Sequence, residues 1–587
     1  MIFAHIAIGT SALLIGSWIG VLSASLLAPL NNSFTAIIWC LPMMCAALAL
    51  AAAPLTRNMV RRFKFFNAVA LFLFLATLLF RTVNLGWGEF QGDEARALLL
   101  AEQIITGQPE KIFTHRKGPG EILTAASTLL TVGPDSEALL RFPFAVAGVA
   151  LLCAIAGIVS AISSPWLGLL AFFLAAQDGV LLGFSRIIQY QMPMLLFSAT
   201  GWLLIVTGVW RSYPIWVGIF FGASLLCHYD AIFLVGPALL LIIFQAYKNI
   251  ALRRPAIFMC LACALLTVSF YLPFFCSENF AQTQAYLTAR ATSTRLPTLN
   301  FWRWFNTWQM YSGSVASIAL GLALILAITF SLNSGPLIVG GALACGAALW
   351  LLPFSIPVLI QIAVFVAGSL IILKSLRGHQ RLAFIVLLMP FFIFGFWFAR
   401  PNTHFLITAP PLIIFICYIA NELRPRPKLL FASIIIFGLA FSLNHQRTLF
   451  LRQALERPKL RADVVEFGMN HRTGLKAASE FLADKGLNLA VYTNDDYLVA
   501  NWYLRKHAAL NVAEILAPDL FIEIQKPREP SARLAARDNY TLIGRVFVSD
   551  NSSNKKRAAD IFFKKSLLDL KTIPAGQPAE RIYEDEN

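Results

Sequence analysis

Long apolar runs dominate this chain, and most of its polar residues lie in the segments between the runs. A run of about 20 apolar residues is long enough to cross a bilayer as a helix, and the pattern predicts about 13–15 such spans. The runs lie at 4–30, 36–54, 65–83, 139–161, 165–183, 191–209, 213–229, 231–247, 256–275, 313–331, 335–352, 356–373, 381–398, 404–420 and 428–444. We therefore expect a polytopic α-helical membrane protein.

The segment between the third and fourth runs has a different pattern. Residues 90–122 read FQGDEARALLLAEQIITGQPEKIFTHRKGPGEI. A short amphipathic helix is predicted after Gly92, with Gly107 ending it. Its apolar stripe consists of Ala97, Leu98, Ala101, Ile104 and Ile105. A second helix is predicted over GPGEILTAASTLL, and two such helices would lie at the membrane surface.

The pattern changes again after residue 444. A helical period runs over 474–486, and strand patterns at 487–495, 519–525 and 540–548 are separated by turn signals. We expect a membrane domain at 1–444 and a small C-terminal α/β domain at 445–587. No GxGxxG, P-loop or HExxH motif indicates that this second domain is catalytic.

Composition agrees with a membrane protein. The 587 residues are 58% hydrophobic and 13% charged, and the mean hydropathy is +0.68. The net charge of +16 is typical of a membrane protein that collects Lys and Arg on its cytoplasmic loops, and we expect no nucleic-acid partner. The nine cysteines are scattered through apolar segments without a metal-type spacing, so no metal site is predicted from them.

Basic residues give the predicted orientation. If 57–64 is cytoplasmic, four later basic loops fall on the same side of the membrane. Their basic residues are Arg211, then Lys248, Arg253 and Arg254, then Lys374, Arg377 and Arg381, then Arg424, Arg426 and Lys428. This places the loop 84–138, the segments 185–191, 276–312 and 399–404, and the C-terminal domain outside. A site facing outward is the first functional expectation.

The loop 84–138 contains an acidic pair, Asp93-Glu94, and a basic trio, His115-Arg116-Lys117. One interpretation is structural: Asp93 caps the helix, Glu94 complements its dipole, and the trio contacts lipid headgroups. The other is chemical. Transfer of a sugar from a lipid phosphate needs a base for the acceptor hydroxyl and cations for the departing phosphate.

The order of these motifs resembles the GT-C membrane glycosyltransferases, most closely the protein O-mannosyltransferase and aminoarabinose-transferase group, glycosyltransferase family 39 in the broad sense. Asp93-Glu94 matches the acidic pair of the first outer loop. Lys117-Gly118-Pro119 matches a Lys-Pro element with one residue inserted, and Arg141-Pro143-Gly148 matches the start of the next span. SRIIQYQMPMLLFSATGWLL is similar to a family segment that has an acidic residue where this chain has Gln191.

The resemblance implies a GT-C fold, a polyprenyl-phosphate sugar donor, an outward active site and inversion at the sugar carbon. Asp93 would be the general base, and Glu94 would orient the acceptor or support the base. The implied ligands of the donor phosphate are His115, Arg116, Lys117, Arg186 and Arg290, and the further substrate-binding candidates are His228, Asp230 and Arg400. The acceptor could be a lipid, a polysaccharide or a protein. The resemblance also implies the cytoplasmic membrane of a prokaryote, with the site facing the periplasm or exterior.

Each further candidate also has a structural interpretation. Arg186 could cap a helix, His228 and Asp230 could satisfy each other, and Arg290 and Arg400 could be solvated or contact headgroups. No metal ligand set is predicted, and a divalent metal beside Asp93 and Glu94 stays open. A transporter or flippase of lipid-linked glycans is the main alternative function. It would place charges within the spans or show inverted repeats, and neither pattern stands out here.

Overall fold

The computed structural model describes residues 2–26, 64–292, 307–313, 406–421, 425–451, 468, 474–484, 491–493, 497–505, 520–524, 540–549, 555–564 and 579–583. Most of these residues are helical. In the part of the chain so described, four helices are long and apolar enough to cross a membrane, at Phe3–Leu22, Glu137–Ile162, Tyr229–Lys248 and Ile250–Phe275. A membrane-embedded, mainly helical protein is therefore confirmed.

Twelve α-helices lie in the described segments up to residue 292. They are α1 (Ile2–Leu26), α2 (Lys64–Thr82), α3 (Gly92–Ile105), α4 (Gly120–Val132), α5 (Glu137–Ile162), α6 (Pro165–Ala176), α7 (Gly179–Phe184), α8 (Gln191–Val206), α9 (Pro214–Cys227), α10 (Ile232–Lys248), α11 (Arg253–Phe275) and α12 (Glu278–Thr292). The later apolar helices are α13 (Ala409–Ala420) and α14 (Pro425–Gln446).

Helix α5 lies at the centre of this group. It packs against α1, α2, α4, α6 and α8, and side chains from Phe144 to Val159 along it are almost all fully buried. The Ser11 hydroxyl of α1 lies 3.0 Å from that of Thr200 in α8. Trp18 Nε1 of α1 donates to Thr124 Oγ1 of α4 at 2.8 Å. These bonds fix α1 against α8 and against α4, which belongs to the loop 84–138.

Two expectations about helices are wrong. The run 165–183 is not one continuous helix, because the helix is interrupted between α6 and α7. Asp178 caps the new helix by accepting from the Leu181 N–H at 2.8 Å, and it also accepts from Trp308 Nε1 at 2.8 Å. Helix α4 does not lie open on a surface either: its first ten residues are mostly buried, and it packs against α1, α3 and α5.

Other predicted spans agree with helices or cannot be compared. The runs at 213–229 and 231–247 correspond to α9 and α10, separated by a short 3₁₀ turn at Tyr229–Ala231. The runs 36–54, 335–352, 356–373 and 381–398, and almost all of 313–331, lie outside the described residues. The total number of spans therefore stays a prediction.

The C-terminal part contains helices α15 (Leu475–Asp484) and α16 (Tyr497–Leu504) and a five-stranded sheet. Its strands are β1 (Val491–Thr493), β2 (Leu520–Ile524), β3 (Tyr540–Ser549), β4 (Lys555–Lys564) and β5 (Ala579–Tyr583). The order is β1-β2-β4-β3-β5, with β1–β2 and β3–β5 parallel and the two other pairs antiparallel. The division of the chain at residue 444 into two domains stays a prediction.

Helices α15 and α16 contact the segment that leads into α3. The Tyr503 hydroxyl accepts from the Phe90 N–H at 3.0 Å and donates to Glu137 Oε1 at 3.2 Å. Burial raises the pKa of Tyr503, so the hydroxyl keeps its proton and serves as donor. Glu89 Oε1 accepts from the N–H groups of Gly474 and Lys476 at the start of α15. These hydrogen bonds thus hold the residues just before Asp93 against the C-terminal helices.

We predict that Tyr503→Phe loosens this attachment. The substitution removes the hydrogen bond from the Phe90 N–H to the Tyr503 hydroxyl and the one from that hydroxyl to Glu137 Oε1, a local loss of about 1–3 kcal/mol. Amide hydrogen exchange of peptides covering residues 85–92 should accelerate in purified full-length protein. Tyr213→Phe, at a half-exposed position before α9, is the matched control and should leave that exchange unchanged. Equal exchange in Tyr503→Phe and wild type would contradict the attachment.

Candidate active site

Helix α3 carries the acidic pair of the candidate site. Its predicted apolar stripe is confirmed for the four residues that are buried in the core: Ala97, Leu98, Ala101 and Ile104. The expectation that Asp93 caps this helix is wrong. Gln91 is the N-cap, and its N–H donates to Glu94 Oε2 at 3.0 Å. Asp93 is the second residue of the helix, in which neighbouring residues point about 100° apart. The two carboxylates of the acidic pair therefore have different surroundings.

Glu94 is fully buried and paired with Arg141 of α5. Arg141 Nε donates to Glu94 Oε1, and Arg141 Nη2 donates to Glu94 Oε2, both at 2.8 Å. Oε1 also accepts from the Ile188 N–H at 3.0 Å. The rest of the guanidinium donates to the carbonyls of Leu85, Gly88 and Glu89 at 2.8–3.0 Å. This two-bond ion pair, the strongest geometry for Arg and a carboxylate, joins α3, α5 and the loops before α3 and α8.

Arg186 has a similar role on the next segment. Its Nη1 donates to the carbonyls of Arg81 and Val83 at 2.8 and 2.9 Å. Its Nη2 donates to the carbonyls of Asn84 and Phe450 at 3.3 and 3.1 Å. The guanidinium is buried among these groups. A contact of Arg186 with a donor phosphate stays a prediction, and its described contacts are to main-chain oxygens.

Asp93 is the accessible member of the acidic pair, with half of its side chain exposed. Gln189 Nε2 donates to Asp93 Oδ2 at 2.9 Å, and Lys117 Nζ lies 3.9 Å from the same oxygen. Among the described residues, Oδ1 accepts no hydrogen bond. The positive charge of Lys117 lowers the pKa of Asp93, partial burial opposes that change, and the Gln189 bond adds to it. The carboxylate is ionised at neutral pH.

Lys117 lies between several polar groups. Its Nζ is 3.4 Å from Gln189 Oε1 and 4.8 Å above the Tyr190 ring. The next residue, Gly118, approaches the end of α9 so closely that a Cβ there would lie 1.9 Å from the Leu226 carbonyl oxygen. A side chain at 118 would push the loop away from α9. The glycine in the Lys-Gly-Pro element therefore lets Lys117 reach Gln189 and Tyr190.

Glu121 and His115 lie behind Lys117. Glu121 Oε2 is 3.7 Å from Lys117 Nζ, 3.6 Å from His115 Nε2, and accepts from the Tyr190 N–H at 3.2 Å. Burial lowers the pKa of His115, outweighing the opposite effect of Glu121. The imidazole is therefore neutral at pH 7, and it would contact a phosphate as a neutral ligand.

The remaining candidates are distributed around this cluster or beyond it. The His228 ring stacks on Tyr190 with 4.2 Å between centroids, and its Nδ1 lies 3.4 Å from Asp230 Oδ2. This buried pair is therefore one layer behind Lys117. Arg116 is partly exposed next to Lys117. Arg290 lies on α12, where its side chain is outside the described part, and Arg400 lies outside the described residues.

Three residues of the cluster were not among the candidates from the sequence: Gln189, Tyr190 and Glu121. Glu121 had a usable signal, because it is four residues after Lys117 at the start of a predicted helix, a spacing that brings side chains together. Gln189 and Tyr190 had none. They come from the loop between α7 and α8, about 70–100 residues away in sequence, and only the packing of α8 against α5 brings them here.

The acidic pair does not offer two open carboxylates to a cation. Both oxygens of Glu94 accept hydrogen bonds from Arg141 and from main-chain N–H groups. In the described residues, no group of three or more His, Cys, Asp or Glu side chains could hold a metal ion. Binding of a divalent metal at Asp93 would need ligands from the substrate or from residues beyond the described ranges.

Comparison with known proteins agrees with the resemblance. A family profile described as dolichyl-phosphate-mannose-protein mannosyltransferase matches residues 121–274, which run from Glu121 to the end of α11. No curated protein matches the chain. The profile match confirms the resemblance to the GT-C membrane glycosyltransferases and indicates a glycosyltransferase. The apolar helices and the profile match together indicate a membrane-embedded protein similar to glycosyltransferases.

We predict that replacing Glu94 destabilises the protein far more than replacing its neighbour Asp93. Glu94→Gln leaves the Arg141 guanidinium buried without its counter-charge, and breaking such a pair costs about 3–5 kcal/mol. The yield of folded, monodisperse protein in detergent and its melting temperature should fall. Asp93→Asn, the isosteric control at the half-exposed position, should change unfolding free energy by only about 0.5 kcal/mol. A Glu94→Gln variant as heat-stable as wild type would contradict the anchoring role of this pair.

Proposed function

We propose that this protein transfers a sugar from a polyprenyl-phosphate carrier to an acceptor hydroxyl, with inversion, and that Asp93 is the general base. The observation that supports this most is the separation of the acidic pair. Both oxygens of Glu94 are bonded to Arg141. Asp93 instead has a half-exposed, ionised carboxylate whose Oδ1 accepts no hydrogen bond among the described residues. A neighbouring cation lies within 4 Å, as a reaction with a phosphate leaving group needs.

In the proposed reaction, the acceptor oxygen attacks the sugar carbon from the side opposite the phosphate. Asp93 Oδ1 takes the proton from that hydroxyl, and the bond between the sugar carbon and the phosphate oxygen breaks. The acceptor is glycosylated, the proton resides on Asp93, and the polyprenyl phosphate leaves with the bonding electrons. Gln189 orients Asp93 through its bond to Oδ2, so that Oδ1 points toward the acceptor.

Lys117 and Arg116 are the proposed ligands of the donor phosphate, because an ammonium and a guanidinium stabilise the charge that grows on it. Lys117 is only partly exposed, so its charge acts with little screening by water. Tyr190 supports the lysine from one side. His115, Arg186, Arg290, His228, Asp230 and Arg400 stay predictions as donor or acceptor contacts.

We further propose that the site faces the outer side of a prokaryotic cytoplasmic membrane. The alternation of basic loops supports this orientation. The description of the matching family profile names a dolichyl-phosphate sugar, which supports a polyprenyl phosphate as the carrier here. The C-terminal helices lie beside α3, so an acceptor reaching Asp93 passes close to them.

Asp93→Asn tests the base directly. We predict that transfer falls by about 100- to 10,000-fold, because the amide cannot take the acceptor proton. Binding of polyprenyl phosphate should stay within a few fold of wild type. The measurement is sugar transfer by purified protein from radiolabelled lipid extracts to a cell-envelope fraction, with Asp135→Asn, on the loop between α4 and α5, as control. Undiminished transfer by Asp93→Asn would refute the assignment.

Lys117→Gln tests the phosphate ligand. Loss of a charge-assisted contact worth about 1.5–3 kcal/mol weakens binding by about 10-fold or more. We expect this in binding of undecaprenyl phosphate to protein in lipid nanodiscs. Lys111→Gln, on the same loop but in the 3₁₀ turn Pro109–Thr114, removes an equal charge at a distance and should bind as wild type does. Equal weakening by both variants would indicate a general attraction to headgroups instead.

A further inference from the structure

The ammonium of Lys117 lies between two carboxylates and is in hydrogen-bonding contact with neither. Its Nζ is 3.7 Å from Glu121 Oε2 and 3.9 Å from Asp93 Oδ2. These distances exceed the usual length of about 2.7–2.9 Å for a charge-assisted bond between nitrogen and oxygen. The nearly equal separations describe a cation balanced between two anions, one buried and one exposed.

We propose that Glu121 is a positioning residue that keeps Lys117 off Asp93, and so keeps the Asp93 carboxylate basic enough to accept a proton. This inference rests on the proposed function, since it explains how the base Asp93 can stay basic although the phosphate-binding Lys117 lies 3.9 Å from its Oδ2. Glu121 acts through Lys117 and does not touch the substrate itself.

The physical problem is the proximity of the base to the cation. A carboxylate within about 4–6 Å of an opposite charge has a lowered pKa, and a direct bond lowers it further. If Lys117 closed the present gap, Asp93 would become a paired, weakly basic anion. Its exposed oxygen would also be turned toward the lysine. A second carboxylate on the opposite side supplies an equal attraction and opposes that movement.

Glu121 is well placed to supply a fixed charge. It lies in the first turn of α4, where the helix dipole stabilises an anion, and its Oε2 accepts from the Tyr190 N–H. Its side chain is fully buried, so its attraction for Lys117 is little screened. Within the described residues, its other oxygen Oε1 is buried and makes no hydrogen bond. Because the His115 imidazole is neutral at pH 7, Lys117 is the charged partner of Glu121 among the described residues.

The other groups around the two carboxylates do not replace this balance. Facing Glu121 are Lys117, the His115 imidazole, which is neutral at pH 7, and the Cys227 thiol at the end of α9. Facing Asp93 are Lys117, the Gln189 amide, His115 and, further away, Arg96. Lys117 is the cation common to both sets, and its charge is the largest cause of the lowered pKa of Asp93.

We expect the loss of the Glu121 charge to lower the pKa of Asp93. In Glu121→Gln, the attraction on one side of Lys117 disappears, and the ammonium moves toward Asp93. The pKa of Asp93 then falls below its wild-type value, by about one unit. Without the lysine there is no cation to restrain, so in a Lys117→Met background the Glu121→Gln change should shift the pKa of Asp93 by much less.

The experiment is a titration of Asp93 in purified full-length protein labelled with ¹³C at aspartate carboxyls. The Asp93 signal is identified by its loss in Asp93→Asn, and its pKa is measured in wild type, Glu121→Gln, Lys117→Met and the double variant. Glu110→Gln, an exposed acid on the same loop, is the matched control and should titrate as wild type does.

The double variant also protects the test against misfolding, because it removes both members of the buried pair and leaves no uncompensated charge. An unchanged or raised Asp93 pKa in Glu121→Gln would overturn the proposal. An equal shift with and without Lys117 would overturn it too, since Glu121 would then act on Asp93 directly. If Glu121→Gln does not fold, the comparison of Lys117→Met with the double variant decides, and a large shift between them contradicts the proposal.

Binding of undecaprenyl phosphate to the same wild-type sample separates this inference from the proposed function. Failure of the lipid phosphate to bind would contradict the assigned donor, and it would leave the titration of Asp93 to be judged independently. Binding together with the shift in Glu121→Gln and its suppression by Lys117→Met is the expected result.

Discussion

The buried ion pair between Glu94 and Arg141 is the constraint on which the rest of the site depends. Arg141 lies near the start of the central helix α5, and its five hydrogen bonds are directed at one carboxylate and at carbonyls of residues 85–89. A desolvated pair of this kind persists because removing either member would leave the other charge unpaired. The start of α3 therefore has one position relative to α5.

That fixed position separates the tasks of two adjacent acids. Helical geometry turns Asp93 away from the direction of Glu94, so that Asp93 faces the loop with Lys117 while Glu94 faces the core. Arg186 adds a second fixed point by binding carbonyls of residues 81–84 and of Phe450. A third contact comes from Tyr503 and Glu89, through which the C-terminal helices fasten the same segment. Three sets of contacts thus hold the backbone around the exposed base Asp93 in place, which favours a defined geometry for proton transfer.

The sequence was sufficient for features that depend on local pattern. The stripe of α3, the side-by-side acids and the glycine next to Lys117 all follow from spacing along one segment. The separation of roles within Asp93-Glu94 was not predictable, because it depends on Arg141, 47 positions later. The contact of Gln189 with Asp93 was not predictable either, because the two residues are 96 positions apart. The break at Asp178 was missed because hydropathy averages over one polar residue, whereas a single capping carboxylate is enough to start a new helix.

Local pattern also gave Asp93 the wrong position. A glycine followed by Asp and then a helical period is a favoured helix start. The capping position is instead taken two residues earlier by Gln91, whose N–H donates to Glu94. The competing bond belongs to a residue that is itself fixed by tertiary contacts. Local preference therefore yielded to the ion pair, and this displacement leaves Asp93 exposed.

The central claim is that Asp93 and Lys117 flank the bond that breaks. A structure of the full-length protein with undecaprenyl phosphate bound in a lipid nanodisc tests it most directly. We expect the phosphate within hydrogen-bonding distance of Lys117 Nζ, with Asp93 Oδ1 still open on the side where the acceptor would enter. A phosphate bound away from Lys117, or bound so that it covers Asp93 Oδ1, would contradict these roles.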